Sequence, residues 1–138
     1  MRRIVCIYLS ALIIMLNVTP LHVSANDGIM PIFENISTVY ARLSIDERLG
    51  VTTCTGRIVA KDEYPVSVDV ILQVKQNGDW DDVCSWTASG TWIATCQENY
   101  AVYSGYDYRV LVFGYVHDAN GRIIESGSAV HEVSYPQQ

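Results

Sequence analysis

The sequence predicts an all-β chain folded as a seven-stranded antiparallel β-sandwich. Beyond residue 25 no segment sustains a helical period, whereas apolar and polar residues alternate with a period of two in run after run. Val, Ile, Thr, Tyr and Trp fill those runs, and such side chains suit a pleated, half-buried surface. Clusters of turn-forming residues break the runs at intervals of roughly ten residues.

The first element is an address rather than part of the fold. Arg2 and Arg3 precede an apolar run from Ile4 to Leu16, and Val23-Ser24-Ala25 places small residues where a signal peptidase cuts. The run is shorter than the roughly 20 residues a membrane span needs. Residues 1–25 therefore read as a cleaved secretory signal, residues 26–35 as a lead segment, and residues 36–138 as one sandwich domain. No Cys follows the cut and no second apolar segment closes the chain, so the expected product is released outside the cell, with no membrane span after signal cleavage.

The strands follow in order: Ser37–Ile45, Val51–Lys61, Val66–Gln76, Trp80–Thr87, Thr91–Glu98, Tyr108–His117 and Arg122–Tyr135. The third is the clearest. Val66, Val68, Val70, Leu72 and Val74 line one face and Ser67, Asp69, Gln73 and Lys75 the other, so a one-residue slip would turn five apolar side chains into water. Asn77-Gly78 supplies the positive φ angles of a two-residue hairpin, and Asn120-Gly121 repeats the device. The second turn sets Arg109 opposite Glu132 and His131 opposite Val110; an opposite-charge cross-strand pair suits that register. Ala88-Ser89-Gly90 reads as a further tight turn, placing Cys84 opposite Cys96 and Trp86 opposite Ala94. Seven short strands at this spacing, with Tyr108 at a strand entrance where a tyrosine corner would sit, point to the immunoglobulin/fibronectin-III-like type.

Charge narrows the partners. Without Arg2 and Arg3, but with all 15 acidic residues, the mature chain carries 7 − 15 = −8. Such a balance repels phosphate backbones and anionic lipid, so no nucleic acid and no membrane surface is expected as partner. Cys6 leaves with the signal, and Cys54, Cys84 and Cys96 remain. An odd count in an exported chain allows one pair with a leftover, an intermolecular bond, or no bond. Cys84 and Cys96 are the candidate disulfide of the expected hairpin; Cys54 with either partner is the alternative.

No reaction chemistry is written in the chain. It lacks a Gly-x-Ser-x-Gly elbow, a His-Glu-x-x-His helix and a phosphate-cradling Gly loop. Asp81-Asp82 and Asp62-Glu63 are adjacent pairs, which a strand would turn to opposite faces. The acidic turn from Asn77 to Asp82 lacks the alternating carboxylates of a calcium loop and reads as a solvated hairpin tip. His117 and His131 would stand about 23 Å apart, too far to share a metal. Neither enzyme activity, nor a cofactor, nor a metal site is expected. The aromatic residues offer the one binding hint: Trp80, Trp86 and Trp92 share parity and are either core filling or a ligand platform.

Gly28-Ile29-Met30-Pro31, Ala41-Arg42-Leu43-Ser44-Ile45, Gly50-Val51-Thr52-Thr53-Cys54, the Val70–Lys75 strand leading to Trp80 and Ser85-Trp86, Tyr108-Arg109-Val110 and Asn120–Ser126 together resemble a family of small secreted proteins. That family, a domain of unknown function, occurs in Gram-positive, Clostridia-type bacteria. The resemblance spans the mature chain and implies export and a β-sandwich, without naming a ligand. Cys84 and Cys96 depart from the family pattern, which leaves their pairing particular to this chain. The expected function is a non-catalytic binding module for a glycan or protein at or near the bacterial cell surface. The alternative is a secreted antimicrobial or toxin-like effector.

Overall fold

The computed structural model describes residues 32–137. The expected signal at residues 1–25, the Gly28-Ile29-Met30-Pro31 motif and residues 26–31 of the lead lie outside the described residues. The all-β expectation holds. Seven antiparallel strands follow one another: β1 (Ile36–Asp46), β2 (Val51–Ala60), β3 (Pro65–Gln76), β4 (Asp79–Thr91), β5 (Ile93–Ala101), β6 (Tyr106–His117) and β7 (Ile123–Tyr135). They form a three-stranded sheet, β1-β2-β5, and a four-stranded sheet, β4-β3-β6-β7. Among the described residues no helix is long and apolar enough to cross a membrane.

Alternation builds the wall between the sheets. Val66, Val68, Val70 and Leu72 of β3 are at most 2% exposed and meet Val110, Val112 and Val116 of β6 on the same inner face. Leu43, Cys54 and Ile58 of the other sheet close the core from the far side. Burying each Val or Leu in this way is worth about 1.5–3 kcal/mol, so the sandwich-like core rests chiefly on β2, β3 and β6. Gly114 is a deliberate thin spot in β6: a Cβ there would sit 2.8 Å from Cδ1 of Ile58, which fills the space instead.

Both Asn-Gly turns lie where expected, but only one has the expected form. Asn77 and Gly78 have φ of 53° and 90°, the two positive angles of a type I′ turn, and Gln76 pairs with Asp79. At the second, Gly121 alone has positive φ; its N–H donates to the Asp118 carbonyl at 3.0 Å, and the Asp118 N–H to the Arg122 carbonyl at 2.8 Å. This wider turn, with a register irregularity between Val116 and His117, still delivers Arg109 opposite Glu132 and Val110 opposite His131.

The third turn does not exist. Ala88-Ser89-Gly90 continues β4, with Gly90 paired to Val66, and the chain then passes directly into β5 on the other sheet. Gly90 marks a close backbone approach, since a Cβ there would collide with the Ile93 carbonyl. The expected β4–β5 hairpin is thereby corrected. Cys84 stands opposite Leu72 and Cys96 opposite Gly56, in different sheets, and no disulfide joins cysteines among the described residues. Trp86 likewise faces Val70 rather than Ala94.

Side chains from β7 cover the free edge of β1. The Glu125 carboxylate accepts the backbone N–H groups of Glu34, Asn35 and Ile36, each at 2.7 Å. His131 Nδ1 accepts the Leu43 N–H at 3.0 Å. Four donors of the edge strand and its lead are thus satisfied without a ladder, which blunts an edge that could otherwise recruit another strand. At the entrance of β6 the Tyr108 hydroxyl donates to the Tyr103 carbonyl at 3.1 Å and accepts the Tyr103 N–H at 2.9 Å. Burial pushes the Tyr108 phenol above its ordinary range, which keeps the donated proton in place.

Candidate functional site

The crossover from β4 to β5 is one residue long, and that residue is Trp92. Its N–H donates to the Tyr64 carbonyl at 2.8 Å, extending the ladder of the four-stranded sheet. Its carbonyl accepts the Ala60 N–H at 2.8 Å, beginning the ladder of the three-stranded sheet. One peptide unit belongs to each sheet, and the turn between them forces φ to 69°. A bulky residue in the left-handed region costs about 1–3 kcal/mol, and the surrounding hydrogen bonds must over-determine it. The indole adds a third bond, Nε1 to the Ala60 carbonyl at 3.0 Å, yet the residue stays 50% exposed. Beside it lies an open, shallow cavity of about 200 Å3 lined by Lys61, Asp62, Glu63 and Trp92.

The three tryptophans therefore do not form one surface. Trp86 faces the core, edge-on to Tyr100 of β5 with ring centroids 6.3 Å apart. Trp80 lies at the opposite end of β4 from Trp92, on the outer face, beneath two cations: the Arg109 guanidinium 4.4 Å and the Lys75 ammonium 5.6 Å from its ring centre. Its ring is taken up by these contacts. Of the three, Trp92 is the one that presents indole surface beside a cavity.

Two clusters escaped the sequence. Arg109 Nε donates to Gln73 Oε1 at 2.7 Å, and Gln73 Nε2 to Asp82 Oδ1, which ties β6, β3 and β4 across the outer face. Ser67 and His117 meet at 2.8 Å between Oγ and Nε2, while His117 Nδ1 lies 3.3 Å from the Gly121 carbonyl. A carbonyl only accepts, so Nδ1 carries a proton, and in the neutral ring Nε2 accepts from the serine hydroxyl. That is the spacing of a nucleophile–base pair. However, β3 is an inner strand whose backbone is committed to ladders with both β4 and β6. The backbone N–H groups of β3 itself are thus taken up in those ladders and not free beside Ser67 to stabilise an oxyanion. Fifty residues separate Ser67 from His117, and only the β3–β6 pairing, between strands distant in sequence, brings them together.

The cysteine chemistry is quiet. Burial pushes the Cys54 thiol up to about 12; a hydrogen bond with Thr52 pulls the other way, and the nearby Cys84 and Cys96 raise it slightly. Cys96 is also raised, first by burial and then by Glu98 and Asp69. Both thiols hold their protons at neutral pH and are poor nucleophiles there. Asp82 is engaged by Gln73, and Asp81 pairs in register with Val74, one residue along, so the acidic hairpin tip does not converge on a point. Among the described residues no group of three or more His, Cys, Asp or Glu is arranged to hold a metal ion.

Fold and site together define a two-sheet, antiparallel, all-β protein with a strained aromatic at the sheet crossover. No protein-family model matches the chain, and no curated protein matches it in sequence.

Proposed function

We propose that this protein is a released, non-catalytic binding module of the immunoglobulin/fibronectin-III-like type, acting at or near a bacterial cell surface. The strand orders β1-β2-β5 and β4-β3-β6-β7 support that type, as does the Tyr108 hydroxyl bonded to backbone five residues upstream. Export rests on the signal-like residues 1–25 and on the resemblance to small secreted bacterial proteins. The observation that carries the binding role is Trp92: a half-exposed indole on strained backbone, beside a cavity lined by Lys61, Asp62 and Glu63. A flat ring offers stacking to the C–H face of a sugar or to an apolar side chain, while the neighbouring carboxylates and ammonium exchange hydrogen bonds with hydroxyls. The non-catalytic reading is supported by Ser67, whose strand backbone has no donor pair to spare.

A glycan array combined with pull-down from cell-wall extracts tests this reading. The intact chain is expected to be retained on a surface, and Trp92→Ala to lose most of that retention while keeping its thermal midpoint to within a few degrees. No retention on any surface, accompanied by growth inhibition of neighbouring species, would replace it with the secreted effector.

A further inference from the structure

The outer face of the three-stranded sheet is chemically unlike the rest of this acidic chain. Reading across β1, β2 and β5 in register, its rows are Thr38–Val59–Ile93, Tyr40–Arg57–Thr95, Arg42–Thr55–Gln97 and Ser44–Thr53–Asn99. No carboxylate stands in any of them, although the chain as a whole has a net charge of −6. Asp46, at one end of the face, accepts the Arg48 and Leu49 N–H groups of its own turn through Oδ1.

Arg42 and Arg57 lie on adjacent strands as diagonal neighbours, about 7–8 Å apart at Cα. Both are exposed, and among the described residues neither side chain has an ion pair or a hydrogen bond. Beside them the Thr53 hydroxyl donates to Asn99 Oδ1 at 2.8 Å and the Thr55 hydroxyl to Gln97 Oε1 at 3.5 Å. Those contacts turn the amide oxygens toward the threonines and leave the amide N–H2 groups as unspent donors. Tyr40, 43% exposed, adds a flat ring, and Tyr40, Thr55, Arg57, Thr95 and Gln97 border a shallow concavity of about 650 Å3. The face is thus rich in donors, poor in acceptors, positively charged, and about 20 Å long over the six-residue step from Ile93 to Asn99.

We infer that this face binds an acidic polysaccharide whose sugar rings carry carboxylates. Guanidinium forks match carboxylates in bidentate fashion, the amides and threonines match ring hydroxyls, and Tyr40 gives a sugar ring a surface to lie on. A nucleic acid fits less well. The acidic body repels either polyanion, and with only two arginines to offset that repulsion it is the match of the amides, threonines and Tyr40 to ring hydroxyls and a sugar ring that favours the polysaccharide. A polyol phosphate has no ring for Tyr40. The inference stands apart from the reading of Trp92, because none of these residues lines the Trp92 cavity.

The experiment is titration calorimetry of the purified chain with oligogalacturonate, with a neutral glucan of equal length, with a glycerol phosphate polymer and with single-stranded DNA. Oligogalacturonate is expected to bind best. The double substitution Arg42→Ala with Arg57→Ala is expected to weaken it at least tenfold, and Arg48→Ala, off this face, less than twofold. Gln97→Glu, which places an acid on the face without touching the arginines, is expected to weaken binding several-fold and serves if the double variant does not fold. Equal affinity for the neutral glucan, preference for the phosphate polymer or DNA, or indifference to both the arginine pair and Gln97→Glu would overturn the inference.

Discussion

The outer faces of the two sheets arise from the same alternation and differ in how their charged side chains are engaged. On the four-stranded sheet five side-chain pairs bond one another. Arg109 bonds Gln73, Gln73 bonds Asp82, Thr87 bonds Asp69, Ser134 bonds Asp107, and Ser67 bonds His117. Between these pairs run Ile71, Leu111 and Val130, opposite one another on β3, β6 and β7. On the three-stranded sheet Arg42 and Arg57 point into water with none of these partners. Side chains that satisfy each other contribute to folding, whereas unspent donors are a capacity for recognition. Under the proposal made above, one face serves stability and the other binding.

The largest effect should come from the wall both faces share. Leu72→Ala empties a fully buried position and is expected to cost about 2–5 kcal/mol in chemical denaturation. A cost below about 1 kcal/mol would mean that the sheets are not pressed together there. Next, Arg109→Ala strips the nearer of two cations from Trp80 and leaves Gln73 and Asp82 without their third member. A loss of about 1–3 kcal/mol is expected from the same measurement. Between the arginines the comparison is sharp: Arg57→Ala, on the other face, should change stability by no more than about 0.5 kcal/mol. If the two substitutions cost the same, the contrast between the faces fails.

A smaller effect belongs to pH. The Asp118 carboxyl is held below its ordinary value of 3.8, first by the Arg122 N–H; burial opposes this, and the Arg122 side chain, the Asn120 N–H and the nearby His117 add to the lowering. A depressed folded-state value means stability that is present above the ordinary value and lost as pH falls through the folded one. Acid titration followed by hydrogen exchange should therefore loosen the β6–β7 turn in that window, and Asp118→Asn should abolish the dependence. The turn loosening equally in both proteins would remove Asp118 as the cause.

Much of this architecture was legible because it is local. The five apolar residues of β3 and the pairing of β6 with β7 follow from spacing alone. The register survived even though Asn120-Gly121 forms a wider turn than its residues suggest. The misreading at Ala88-Ser89-Gly90 has a physical origin. Glycine serves both a turn and a close backbone approach, and only the position of Ile93, set by the other sheet, decides between them. The same event separated Cys84 from Cys96 and left Trp92 at the crossover. The surface sites were hidden for a further reason. Tyr40, Arg57 and Thr95 lie in one row only because β5 pairs with β2, a long-range contact that no local pattern announces.

The most direct measurement is backbone amide chemical-shift mapping of the labelled chain during titration with oligogalacturonate. Shifts concentrated on Tyr40, Arg42, Thr55, Arg57, Thr95 and Gln97, with the outer residues of β3, β6 and β7 unmoved, are the predicted result. Shifts centred on Ile71, Leu111 and Val130, or spread evenly over both sheets, would contradict the division of labour between the two faces.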